Sequence, residues 1–189
     1  MEPEMKPNLV MGLLVLALVG CGGGPQWRAV MQSNPNQLAG QKQFTVAPLD
    51  FAGLTVGQKS EADYLSAKED EAKKGWVESK AGLEDEFIKS LRAGAVTSGV
   101  QMSVGAAGAP FILKPKVDFI EPGFYAFVAS KPSQVKMTVK IVSADGKDVE
   151  EFVIEHAAGG ASNSSRLRAD GAALGEYAAN YVASRVSPK

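Results

Sequence analysis

The chain has 189 residues, 45% hydrophobic and 22% charged, with 20 Lys and Arg against 21 Asp and Glu. Near-neutral charge argues against nucleic acid or anionic lipid as a bulk electrostatic partner. The single Cys rules out an intramolecular disulfide, and the single His rules out a multi-histidine zinc centre within one chain.

Lys6 precedes an apolar run from Leu9 to Val19. As a helix this run spans about 16 Å, half a bilayer core, so it reads as the apolar region of an export signal and not as a membrane span. Met1–Glu4 is acidic for the start of a signal, and a start at Met5 gives a positive one. The run ends in Leu18-Val19-Gly20-Cys21, which resembles the bacterial lipobox. The resemblance implies cleavage after residue 20 and lipidation of Cys21, which anchors the chain in a membrane. The other reading of Cys21 is a small buried thiol. Two acyl chains anchor durably where one holds only marginally. Gly22 in place of Asp, by analogy with Gram-negative sorting, implies the outer membrane, facing the periplasm.

Residues 21–42 read as a lipidated flexible tether. Gly22-Gly23-Gly24-Pro25 holds no regular element, and Gln32 to Gln43 has no hydrophobic period. Trp27, Val30 and Met31 interrupt it as apolar residues suited to docking on the domain or on lipid. A single domain is expected over residues 43–186, with a tail at 187–189.

Phe44–Phe51 reads as the first strand, with Pro48 at an edge or bulge. Ser60 caps a following helix, with Asp63 three positions on. Helical periodicity covers Glu61–Thr97 through Leu65, Ala72, Trp76, Leu83, Phe87, Leu91 and Ala95. One such helix is about 55 Å long, too long for a domain of this size, and Gly75 and Gly82 are the expected breaks. Val100–Val104 is a short strand. Phe111–Glu121 alternates, with Phe111, Leu113, Val117 and Phe119 on one face. Phe124–Ala129 is an apolar connection, either an exposed patch or a further core strand.

Val135–Val142 is the clearest strand by alternation. Ala144-Asp145-Gly146-Lys147 signals a type I′ hairpin turn, and Val149–His156 returns with Phe152 and Ile154 inward. Residues 157–165 read as a polar loop, and the last helix as Arg168–Val186 with Leu174, Ala178, Tyr181, Val182 and Val186 on one stripe. The order β-α-β-β-β-β-α predicts an α+β fold: a mixed, largely antiparallel sheet with two main helices on one face. These pieces, from Phe44–Phe51 through Phe87-Ile88-Lys89-Ser90-Leu91, Ile120-Glu121-Pro122-Gly123 and Asp145-Gly146 to the Ala-rich last helix with Tyr177 and Tyr181, resemble a group of bacterial envelope lipoproteins. That group has the TolB N-terminal-like fold and includes CsgG- and PelC-like lipoproteins.

No catalytic constellation is legible. His156 stands alone at a strand end. Glu84, Asp85, Glu86, Glu150 and Glu151 read as solvated acids, and Arg166 and Arg168 as a loop edge. Gly105–Gly108 and Gly159-Gly160 lack phosphate-loop spacing, so no cofactor is implied. The expected function is a non-enzymatic, lipid-anchored scaffold or accessory subunit of an envelope assembly. It would act through an envelope protein partner or a second copy, with Trp76, Phe124, Tyr125 and Phe127 as contact residues and no nucleic acid. The alternative is a binding or transport-auxiliary module with an apolar ligand among Phe111, Phe119, Phe152 and Trp76.

Overall fold

The computed structural model describes residues 26–105, 108–126 and 128–187. The expected signal peptide and Cys21 lie outside the described residues, as does Phe127. The elements in chain order are β1 (Trp27–Met31), β2 (Gln43–Val46), β3 (Thr55–Val56), β4 (Lys59–Ser60), α1 (Glu61–Ser66), α2 (Asp70–Thr97) and β5 (Gln101–Val104). Then follow β6 (Phe111–Glu121), β7 (Phe124–Ala126), β8 (Ala129–Lys131), β9 (Gln134–Ser143), β10 (Asp148–His156) and α3 (Asn163–Val186).

Among the described residues one mixed sheet runs β1-β10-β9-β6-β2-β5, with β3 beside the far half of β6 and β4 beside β3. β2 is parallel to β5 and β6, and the β1-β10-β9-β6 part is antiparallel. Val135, Met137, Val139 and Ile141 of β9 are fully buried, while Lys136, Thr138 and Lys140 are not, so one face carries the core. α2 and α3 pack against each other and cover that face. This is the α+β sandwich expected from the element order.

The first strand is shorter than its apolar pattern suggests because Pro48 has no N–H to donate. β2 ends at Val46, yet the chain stays alongside β6. Ala47 donates to Leu113 O (2.9 Å), Asp50 donates to Pro115 O (3.0 Å) and Val117 donates to Asp50 O (2.8 Å). A bulge between Val117 and Phe119 reverses the facing of β6, so Ile120 is buried and Phe119 only half-buried. The inward placement of Phe119 expected from plain alternation is therefore corrected.

The expected breaks at Gly75 and Gly82 are also corrected. α2 is continuous through both, about 42 Å long, and the chain turns instead at residues 67–69. Ser60 caps α1 as predicted, its Oγ accepting from Asp63 N–H at 3.1 Å. Gly82 is buried against Arg168, where a Cβ would come within 2.9 Å of the guanidinium carbon. Gly171 and Gly175 bring α3 onto the backbone of α2, since a Cβ on either would meet Leu83 O or Phe87 O at 2.3 Å.

α3 starts at Asn163, not Arg168, because Ser162 and Ser165 form a reciprocal capping box. The β9–β10 turn is not type I′, which needs positive φ at both central residues. Gly146 alone has it (φ 84°), Gly146 N–H donates to Ser143 O (2.8 Å), and the register shifts before Glu150.

Residues 26–42 are not a leash but part of the domain. Trp27–Met31 adds an edge strand to β10, and Leu38 is fully buried. The expected docking of Trp27 is an edge-on contact with Tyr181 at 5.9 Å, while Val30 and Met31 stay exposed.

Two glycine substitutions in the helix layer should act in opposite directions. Gly171→Ala forces a Cβ into Leu83 O and should destabilise the protein by about 1–3 kcal/mol. Gly75→Ala meets nothing within 4 Å and should stabilise it by about 0.5–1 kcal/mol. Urea denaturation of both variants checks the signs.

Candidate functional site

Register gathers four strand ends at one end of the sheet. Trp27 pairs with Ile154, His156 with Val135, and Val135 with Ile120. The start of β1, the last residues of β10, the start of β9 and the last residues of β6 therefore lie side by side. The β7–β8 hairpin leaves the sheet here, and Gln26, just before β1, lies at the same end, its side-chain carbonyl accepting from Asn180 Nδ2 at 3.0 Å.

The hairpin is exposed, but its base is held by buried charge. Arg166, 4% exposed, donates from Nε and Nη2 to Pro122 O (3.2 and 3.1 Å) and from Nη1 to Gly160 O (2.7 Å). On the return side Ser133, fully buried, donates from N–H to Ala158 O and from Oγ to Asp170 Oδ2. Gly123 turns the chain with φ 66°, where a side chain would strike Lys131 O at 2.4 Å. Lys131 donates to Glu121 Oε2 at 2.8 Å, and this hydrogen bond holds the Glu121 carboxyl below its ordinary value. Beyond this clamp Phe124 is 51%, Tyr125 62% and Val128 90% exposed.

Arg166 is thus not the loop-edge cation read from sequence. The signal for its role was the capping box just before it, which places residue 166 in the first turn of a helix facing the sheet. Of the expected acids, Glu150 is likewise buried. Burial pushes the Asp170 carboxyl above its ordinary value, against the hydrogen bonds it accepts from Ser133 Oγ and from His156 Nδ1 (2.8 Å). In a catalytic triad the serine hydroxyl meets the imidazole. Here Ser133 and His156 hold opposite oxygens of one carboxylate. Among the described residues no group of three or more His, Cys, Asp or Glu is placed to hold a metal.

Trp76, 3% exposed, joins the two helices of the first half. Its Nε1 donates to Glu61 Oε1 at 2.6 Å, Lys80 pairs with the same oxygen at 2.6 Å, and its ring lies 5.1 Å from Tyr64. Two adjoining clefts of about 370 and 440 Å³ share Tyr64 and Lys68 and run from Trp76 to Glu121, Pro122 and Gly123. Burial first, then the Glu121 charge, raises the Tyr64 hydroxyl above its ordinary value. The structure does not bring Phe111, Phe119, Phe152 and Trp76 together as a pocket. Phe111 packs on Phe44 (5.9 Å), Phe152 stacks on Tyr181 (3.8 Å), and Phe119 is turned by its bulge.

At the opposite end a buried ion pair holds the N-terminal arm. Glu150, fully buried, accepts from Arg185 Nε (3.0 Å) and Nη2 (2.7 Å), from Tyr181 OH (2.7 Å) and from Ser33 Oγ (2.9 Å). Arg185 also donates to Ser33 O, and Asn36 Nδ2 donates to Arg185 O. Burial, followed by its contacts with Glu150, raises the Tyr181 hydroxyl.

These features define a one-sided α+β domain with two charged clamps, one at each end. No family model matches the sequence, and no curated protein matches it. Among solved structures the chain is similar to the PelC dodecamer from Paraburkholderia phytofirmans, with a TM-score of 0.46 and 13% identity, over 80% of this chain and 96% of that chain. A point variant of that dodecamer in a second crystal form gives the same score and identity over 86% and 98%.

Glu150→Ala leaves the Arg185 guanidinium without its carboxylate and should cost about 3–5 kcal/mol, the range for breaking a buried pair. Limited proteolysis should then cut within residues 32–42 and should leave them intact in the parent protein.

Proposed function

We propose that this chain is a lipid-anchored envelope protein that acts as a non-enzymatic scaffold or accessory subunit of an outer-membrane assembly, facing the periplasm. The observation that carries the reading is Leu18-Val19-Gly20-Cys21 at the end of the apolar run, with strand β1 starting six residues after Cys21, at Trp27. An acyl anchor on Cys21 gives stable attachment to a chain whose described residues contain no helix long and apolar enough to cross a membrane.

The scaffold part of the reading is supported by where the side chains go. The large apolar residues fill the layer between sheet and helices. The best candidate nucleophile near His156, Ser133, is fully buried and bound to Asp170. The surface offers contact area: the open face of the sheet with a cleft of about 300 Å³ between Pro48, Pro115, Lys114 and Lys116, the two clefts beside Tyr64, and the clamped hairpin. A protein partner or a second copy of the chain is the expected occupant of such surfaces.

Cys21→Ala should leave the protein unprocessed or soluble, with no acyl mass on its N-terminal peptide. Mass spectrometry and membrane fractionation check this, and an unchanged mass with unchanged fractionation overturns the anchor. Native mass measurement in detergent then tests the scaffold: an oligomer or a stoichiometric partner is expected, and a bare monomer counts against it.

A further inference from the structure

We infer that the β7–β8 hairpin is a second membrane contact, with Phe124, Tyr125 and Val128 seated in the interfacial layer of the same bilayer that holds Cys21. The inference rests on the lipid anchor proposed above and adds an orientation to it.

Gly22 to Pro25 alone separate Cys21 from Gln26, which is bonded to the domain. Fully extended, that stretch of backbone reaches about 17 Å. The start of β1 is therefore held within that distance of the lipid surface. The end of β6, from which the hairpin springs, lies at the same end of the sheet and three strands away. Three strand spacings are about 14 Å. An anchor at one corner of this end brings the hairpin to the bilayer at the other.

The hairpin has the chemistry for that position. Phe124 and Tyr125 combine apolar rings with a hydroxyl suited to the water–lipid boundary, where Tyr is enriched. A three-residue strand is about 10 Å long, which matches the depth at which interfacial segments sit. The backbone pairs across the hairpin through Phe124–Lys131, Tyr125–Ser130 and Ala126–Ala129. Insertion leaves only its outer edges to headgroup water. Lys131 and Glu121 stay at the base, neutralising each other at 2.8 Å. The contact is apolar, in keeping with a chain of near-neutral charge. The exposed apolar side chains sit on a hairpin whose base is fixed by buried Arg166 and Ser133.

The test uses the full-length lipidated protein in phosphatidylcholine–phosphatidylethanolamine vesicles. Cys21 is the sole Cys and is blocked by lipid, so Val128→Cys supplies a unique thiol for an environment-sensitive dye. The expected result is a blue-shifted emission that is largely lost when brominated lipid replaces ordinary lipid. A dye at Val96→Cys, exposed beside the opposite end of the sheet, should keep its emission. Adding Phe124→Ser and Tyr125→Ser should restore the emission at position 128 while the protein stays on the vesicles.

If Cys21 carries lipid by mass and the dye at 128 is not quenched by brominated lipid, the bilayer contact is overturned and the anchor stands. A dye shielded from aqueous iodide but not quenched by lipid marks a protein-binding surface and overturns it too. Absence of lipid on Cys21 overturns both readings, and the mass distinguishes that case.

Discussion

The close approach of α2 and α3 is the constraint on which the rest of the molecule depends. At Gly171 and Gly175 the α3 backbone lies against carbonyls of α2, with no room for a side chain between them. Gly94 does the same in the other direction, against Ala179. Dispersion and burial scale with the surface brought together, so a tight helix pair gives a dense layer over the sheet. That layer holds α3 at a fixed height above β9 and β10. Arg166 and Asp170 near its start, and Tyr181 and Arg185 near its end, can therefore reach the strand ends.

Both clamps use buried charge to position chain that the hydrophobic core does not cover. Burial of an ion pair contributes little net stability, but leaving one partner alone is costly. Such a pair acts chiefly to forbid alternatives. Glu150 forbids detachment of the arm through Ser33, and Arg166 with Asp170 forbids wandering of the hairpin base. The described β7 and β8 residues are exposed, and the base of their hairpin is placed by these residues.

Much of this was legible in the residues. Alternation in Val135–Ile141 and Phe152–Ile154, and the steps from Trp76 to Ala95, matched buried faces because period alone decides them. The misreadings had local causes. Gly82 looks like a helix break by propensity, but tertiary packing overrides propensity where the glycine makes room for Arg168. Phe119 follows a bulge that no period reports. Residues 26–42 read as a tether because their bonds are long-range, Ser33 to Glu150 and Asn36 to Arg185, and no window of sequence contains both partners. Glu150 looked solvated beside Glu151 for the same reason. The run at 124–128 was open between an exposed patch and a further core strand, since its composition suits either; Phe124 and Tyr125 are exposed, and buried charge holds the base of their hairpin at the end of the sheet.

The bulge in β1 has a consequence for crowding. An edge strand offers a row of free backbone groups that a neighbouring chain can copy, and sheets then grow from molecule to molecule. β1 is such an edge, yet its register slips between Ala29 and Met31, and Val30 stands out of the ladder. The slip bends and twists the strand, so a straight intruding strand finds matching donors and acceptors over only a residue or two. The irregular edge of β1 therefore opposes growth of the sheet from one molecule to the next.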